Sequence, residues 1–443
     1  MLSRIGLRTP EQRAWGLYDW ANSAMITIIV TAVFPIFFAS YAADGLPPAT
    51  ATFRFSVATT LGLIFIAILA PILGAIADNK ASKKRFLGAF LGLGVAAVAS
   101  MYFIQQGAWL FAAILFVLAN MGVNGSLVFY DSLLPHVAGR EEIDRVSTAG
   151  YALGYLGGGV LLVVALAVIQ NPAWIGIPTG DAATPEQGSL PARLSFVAVA
   201  VWWLLFSIPL FRRVREPELR PSVEARDQSI RAAFTQLKAT LKALRKYRNA
   251  FLMLLAFLIY NDGIGTIIRM ATIFGDEIGI ERGALIGSIV VVQFVGIPFA
   301  FLFGALAVKI GAKQSILLGL AVYAGISIFA YFMTTASQFL ILAVLVAMVQ
   351  GGTQALSRSL YGSMIPRNES GEFFGLFAVF EKFAGIFGPA IFAVAVGLTQ
   401  SSRNAVFALI VFFVIGAVLL FMVDVDEGRR VAQEVERGES PTH

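Results

Sequence analysis

Four stripes of polar side chains interrupt an otherwise apolar chain, and each has the spacing of a single helix face. Asp19, Ser23, Thr27 and Thr31 recur at every fourth position with Asn22 beside them; Asn120, Asn124 and Asp131 lie four and seven apart. Asp262, Thr266 and Arg269 are spaced four and three, and Gln350, Gln354 and Arg358 every fourth residue. Residues at such spacings stack on one side of a helix. The chemistry they offer is binding. Asp19 and Asp262 suit an amine or a proton, and Arg269 and Arg358 suit a carboxylate. Asn22, Asn124, Gln350 and Gln354 are uncharged hydrogen-bonding groups for the path between them. Lys382 is a further cation for the substrate; its neighbour Glu381 points about 100° away from it. The amides also have a plainer reading as interhelical glue worth about 0.6 kcal/mol each. Asp262 and Arg269 are about 10 Å apart along a helix axis, too far for a direct bridge.

These stripes require membrane helices to hold them. The chain has 443 residues, of which 58% are hydrophobic and 14% charged, with 37 phenylalanines. Soluble domains carry about 25% charged residues, so lipid must solvate much of this chain. That composition excludes a cytosolic enzyme, a nucleic-acid-binding module and a disordered scaffold. With no cysteine and two histidines, thiolate chemistry, a histidine metal site and a nucleophile–histidine–acid set are excluded as well. No phosphate-binding loop with a Gly-x-x-x-x-Gly-Lys-Ser/Thr pattern occurs, and no cofactor or metal is expected. About 20 apolar residues are needed to cross a bilayer. Twelve such runs occur, at 14–41, 55–77, 86–105, 108–131, 147–169, 194–211, 250–273, 284–308, 315–335, 338–361, 373–398 and 404–423. Their uniform apolarity predicts helices rather than alternating barrel strands. The first run is too long for a cleaved signal peptide and contains Asp19 and Asn22. Most Lys and Arg fall in the N-tail, the C-tail and the segments after even-numbered spans, while Arg54, Arg193, Arg282 and Arg403 fall in the opposite segments. The positive-inside rule then places both termini in the cytoplasm.

The runs divide into two halves of six. Tyr130–Pro135 closes the fourth run as Tyr361–Pro366 closes the tenth; Gly154 and Gly157 recur at the same separation as Gly385 and Gly388, and Gly74-Ala75-Ile76-Ala77 recurs as Gly304-Ala305-Leu306-Ala307. Parallel six-helix repeats define the major facilitator architecture. The expected organisation is an N-terminal bundle (1–211), a cytoplasmic linker (212–249), a C-terminal bundle (250–424) and a cytoplasmic tail (425–443). In the linker, Ile230, Phe234, Leu237, Leu241 and Leu244 have helical spacing among basic residues, which predicts an amphipathic helix on anionic inner-leaflet lipids. The polar stripes fall on the first, fourth, seventh and tenth spans, so four wet faces would line one central cavity. A gate is expected where Gly74 and Asp78 precede Lys80, Lys83, Lys84 and Arg85. Gly74 permits close helix approach, Asp78 suits a helix N-terminus, and Lys84 or Arg85 is expected to pair with Asp131.

Trp15-Gly16-Leu17-Tyr18-Asp19-Trp20-Ala21-Asn22-Ser23, Tyr260-Asn261-Asp262-Gly263 with Ile267-Ile268-Arg269, and Gln354-Ala355-Leu356-Ser357-Arg358-Ser359-Leu360 resemble the vacuole effluxer family of the major facilitator superfamily. Phe373-Phe374-Gly375-Leu376 and Gly154-Tyr155-Leu156-Gly157-Gly158-Gly159 are also similar to it. The resemblance covers nearly the whole chain. It implies transport of an amino acid or similar metabolite. With the polar stripes this gives the expectation of a secondary transporter working by alternating access, with Asp262 and Asp19 as the proton-coupling groups. The short cytoplasmic tails suggest a bacterial inner-membrane protein, and a monomer is expected. Two rival readings are a lipid or lysolipid flippase on the same scaffold and a non-transporting receptor of transporter shape.

Overall fold

The computed structural model describes residues 6–178, 184–217, 247–277, 282–383 and 402–438, with residues 388, 391, 394 and 398. The expected linker helix, and the side chains of Arg269 and Lys382, lie outside the described residues. Among the described residues every regular element is helical. In chain order they are α1 (Pro10–Ala42), α2 (Pro48–Lys80), α3 (Lys83–Ser100), α4 (Trp109–Val137), α5 (Ile143–Gln170), α6 (Pro185–Arg213) and α7 (Arg248–Glu277). They continue with α8 (Arg282–Ile310), α9 (Ala312–Phe332), α10 (Ala336–Ser363), α11 (Ser370–Phe383), α12 (Arg403–Phe421) and α13 (Val425–Arg437). Eleven of them, all but α11 and α13, are long and apolar enough over the described residues to cross a bilayer.

Local chemistry sets where several helices begin. Thr9, Thr184 and Thr335 each accept a backbone N–H three residues on, from Gln12, Gln187 and Gln338, whose side chains reach back to the capping threonine. These reciprocal boxes satisfy donors that a helix start leaves unpaired. α2 ends where Ala81 takes a left-handed conformation with φ 44°, and this bend lets α3 start two residues later. Ser82 provides no side-chain cap for α3. Glu216, just beyond α6, does so by accepting from the N–H groups of Lys83 (2.6 Å) and Lys84 (2.9 Å).

α1 departs from the uniform helix its stripe predicts. Ile26–Ala32 and Phe38–Ala42 are wound as wider π-helical turns on either side of Pro35. Proline has no N–H and crowds the carbonyl one turn earlier, and a wide turn relieves that crowding. Each wide turn rotates the residues after it about the helix axis. Thr27 stays buried, while Thr31 turns outward and donates to the Ile26 carbonyl at 3.1 Å. The stripe on α1 therefore ends at Thr27.

Two hydrophobic clusters form, one drawing on α1–α6 with Ala378 of α11, the other on α7–α13. Between them, α5 packs along α8 and α2 along α11, with α10 against α5 and α11 against α4. Gly6 packs on Arg145, and the C-terminal α13 reaches Arg140, so both ends of the described chain lie beside the α4–α5 connection.

Candidate functional site

Arg358 projects from α10 into the first half of the chain. It is 3% exposed. Its Nη1 donates to Asp131 of α4 at 2.9 Å, and its Nη2 lies 3.4 Å from Asp19 of α1. Nε and Nη2 also donate to the hydroxyl and carbonyl of Ser147 on α5, at 3.0 and 3.1 Å. The Tyr130 hydroxyl donates to Asp19 at 2.8 Å. The rings of Tyr151, Trp15 and Tyr130 surround the guanidinium, with centroids at 4.7, 4.9 and 5.7 Å, positions that favour a cation. Arg358 is thus the hub at which α10 is bound to α1, α4 and α5. Gly150 of α5 makes room for it, since a β-carbon there would collide with the Asp19 carboxylate. Two carboxylates oppose one guanidinium, so the cluster has a formal net charge of −1. Removing one partner of a buried pair costs about 3–5 kcal/mol, because the other is left uncompensated.

A second ion pair closes the same face. Asp78 at the end of α2 binds Lys83 Nζ at 2.8 Å, with both side chains buried. Its carboxylate also accepts the N–H groups of Gly371 (3.0 Å) and Glu372 (2.8 Å) at the start of α11, where the helix dipole favours an anion. Lys83 Nζ donates to Ser370 Oγ at 2.6 Å, Ser370 donates to the Ser132 carbonyl at 2.9 Å, and His136 Nε2 stands 3.1 Å from the same hydroxyl. Gly74 is required because a β-carbon there would run into the Gly371 carbonyl.

The gate expected from the sequence is corrected in its cation. Asp131 pairs with Arg358, not with Lys84 or Arg85. Lys84 Nζ donates to the carbonyls of Phe211 (2.9 Å) and Val214 (2.6 Å) and so ties α3 to the end of α6. Arg85 is exposed. The left-handed residue Ala81 folds the chain back and brings Lys83, rather than its neighbours, over Asp78. Spacing along a continuous helix does not disclose that turn.

Other residues singled out in the sequence divide. The amides of Asn22 and Asn124 donate to carbonyls four residues back in their own helices, those of Tyr18 (2.8 Å) and Asn120 (2.9 Å). Asp262 accepts the N–H of Gly388 at 2.7 Å, which joins α7 to the residue 388 region. Gln354 reaches Asn261 at 3.5 Å, the outer limit of a hydrogen bond, and Gln350 and Gln354 are half-buried. Asp19, Asn124, Asp262, Gln350 and Gln354 therefore do not form a single contact set: Asp19 belongs with Arg358, and Asp262 with Gly388. Lys83, His136, Ser147 and Ser370 were missed as site residues. Lys83 alone had a sequence signal, its place in the basic cluster after Asp78.

The α13 helix adds a third link across the halves. Arg140, between α4 and α5, donates to the Arg429 carbonyl (2.9 Å) and to Glu436 (3.0 Å), while Glu436 also accepts the N–H of Arg367 (3.0 Å). Arg429 Nε donates to Ser363 Oγ at 3.2 Å. Nearby, Glu142 receives the Arg145 guanidinium and the Gln12 amide, which hold its carboxyl below the usual carboxylate range, Arg145 foremost. The face bearing both termini is thus closed by ion pairs and caps from both halves.

The comparisons agree with this architecture. The family model for Atg22-like vacuole effluxers matches residues 49–433. An uncharacterized MFS-type transporter of Bacillus subtilis, YxiO, is 39% identical over 96% of this chain and 97% of its own length. Autophagy-related protein 22 of Yarrowia lipolytica is 26% identical over 66% of this chain, which spans about half (52%) of the fungal protein. Among solved structures, the E. coli fucose:proton symporter FucP superposes with a TM-score of 0.67 at 14% identity, covering 94% of this chain and 98% of its own. A double-tryptophan variant of the xylose transporter XylE reaches 0.73 at 13% identity, covering 95% and 98%. At such identities these two speak for the fold, the two six-helix bundles of the major facilitator architecture. Family match and relatives together establish that the chain is an MFS-type transporter belonging to the Atg22-like vacuole effluxer family.

Proposed function

We propose that the chain moves a small zwitterionic or anionic metabolite, an amino acid or a close relative, by alternating access. The observation that carries this reading is the Arg358 cluster. Arg358 meets Asp19 and Asp131 in this structure, in which the terminus-bearing face is closed. When the halves part there, a buried guanidinium and two carboxylates lose their partners together, at a cost of several kcal/mol. A ligand with both a carboxylate and an amine replaces both partners: its carboxylate takes Arg358 in a bidentate fork, and its amine takes Asp19 or Asp131. A proton on Asp19 is the alternative replacement and gives proton coupling, with Asp262 as a second proton carrier. Arg269 and Lys382 remain candidates for the carboxylate, and Asn22, Asn124, Gln350 and Gln354 for the path. This reading places a monomer in a bacterial inner membrane with both termini cytoplasmic.

The test is counterflow and pH-gradient-driven accumulation in proteoliposomes with a panel of amino acids, amines and monocarboxylates. Zwitterions should exchange, and amines or carboxylates alone should exchange poorly. Asp19→Asn should lose accumulation while keeping exchange. Equal transport of lone amines, lone carboxylates and zwitterions would remove the replacement mechanism.

A further inference from the structure

α2 and α4 cross closely near mid-membrane and part toward the face opposite the termini. At the crossing, a β-carbon added to Gly62 would lie 3.3 Å from Asn120 Cβ and 3.5 Å from the Val117 carbonyl oxygen. Farther out, the small buried residues Ala58 and Ala113 leave a groove of about 430 Å³ between the helices. Its walls are apolar and open to lipid: Val57, Leu61, Leu110 and Ile114 are 40–56% exposed. At its mouth the Arg54 guanidinium lies 3.6 Å from the centroid of the Trp109 ring.

The ring occupies the face of that guanidinium and leaves its edge. Among the described residues Arg54 makes no hydrogen bond or ion pair, although a guanidinium carries five N–H donors and no acceptor. A pinned guanidinium edge above an apolar trench at the membrane–water boundary is complementary to a phosphate carrying acyl chains. We infer that the α2–α4 groove is a binding site for an anionic phospholipid, with an acyl chain between the helices and the headgroup phosphate on Arg54. The lipid is anionic because a choline or ethanolamine headgroup brings its own cation to compete with the single arginine. The site is built by the first half alone, outside the Arg358 cluster, so a lipid seated there travels with that half.

The probes are brominated phosphatidylglycerol and brominated phosphatidylcholine, titrated in mixed micelles against the full chain. The Trp109 signal is isolated by subtracting the fluorescence of Trp109→Phe. Phosphatidylglycerol should quench Trp109 at about fivefold lower mole fraction than phosphatidylcholine, the factor one basic side chain provides toward an anionic lipid. Arg54→Gln should remove that preference and Arg54→Lys should restore part of it, with gel filtration and circular dichroism confirming the fold of each. Equal quenching by the two lipids in the wild-type chain would reduce the groove to ordinary lipid contact, and a preference that survives in Arg54→Gln would take the headgroup away from Arg54.

Discussion

The guanidinium of Arg358 on α10 lies 2.9 Å from the carboxylate of Asp131 on α4, and this contact joins residues from opposite halves of the chain. Arg358→Met leaves Asp19 and Asp131 facing each other without a cation, whereas Asp131→Asn leaves Arg358 with Asp19. The first should therefore destabilise the closed conformer more, by about 3–5 kcal/mol, the range for an orphaned buried charge. Arg358→Lys keeps the charge but loses the fork and the flat contact with three rings, and should fall between them. Thermal unfolding of the purified variants in one detergent ranks the three, and an equal effect of all of them would contradict the hub.

Asp78 and Lys83 offer a double-mutant cycle. Each single change, Asp78→Asn or Lys83→Met, strands one buried group, while the double change removes both charges. The double variant should be destabilised by less than the sum of the singles, with a coupling of at least about 1 kcal/mol for residues in contact. Additive losses from the same unfolding measurement would show that the pair does not act as a pair.

Gly74→Val tests closure rather than folding. Its added carbons meet the Gly371 carbonyl across the halves, so each half still packs on its own cluster. Expression and unfolding temperature should stay near wild type while transport falls at least about tenfold, the consequence of a barrier raised by about 1.4 kcal/mol. Transport at the wild-type rate would show that α2 and α11 do not need this approach.

The spans were legible because length and apolarity decide a membrane helix, but the runs from 14 and 194 begin inside α1 and α6, whose threonine–glutamine boxes at Thr9 and Thr184 carry no apolar signal. Arg358 and Asp19 were legible as members of polar stripes that each share one helix face. Their partnership was not, because it joins residues on different helices from the two halves. Three features were hidden for local reasons. π-helical turns beside Pro35 turned Thr31 out of its stripe. The left-handed Ala81 set Lys83, rather than Lys84 or Arg85, over Asp78, while Asp131 took its cation from α10. Asn22 and Asn124 bonded to their own helices, an option that spacing alone does not distinguish from a path-lining role. The docking of α13 had only a weak signal in its sequence, since a charged tail reads as solvated until Arg140 is seen to meet Glu436.

That docking is itself testable. Arg140→Ala removes the hydrogen bonds to Glu436 and to the Arg429 carbonyl. The pair is partly exposed, so the loss should be about 1 kcal/mol or less. Hydrogen exchange in residues 425–437 should accelerate severalfold, with the transmembrane helices unchanged. Unaltered exchange there would mean that α13 is held by its buried Val431 and Ala432 alone.

The central claim is that Arg358 holds the two halves together at the face bearing the termini. The chain contains no cysteine, so spin labels placed at Glu141→Cys and Lys309→Cys, two exposed positions on opposite halves at that face, report their separation without background. Double electron–electron resonance on this pair should give a dominant short distance with Arg358 intact. In Arg358→Gln the distribution should shift to a longer distance. The same short distance in both proteins would contradict the account, because the face would then close without the arginine.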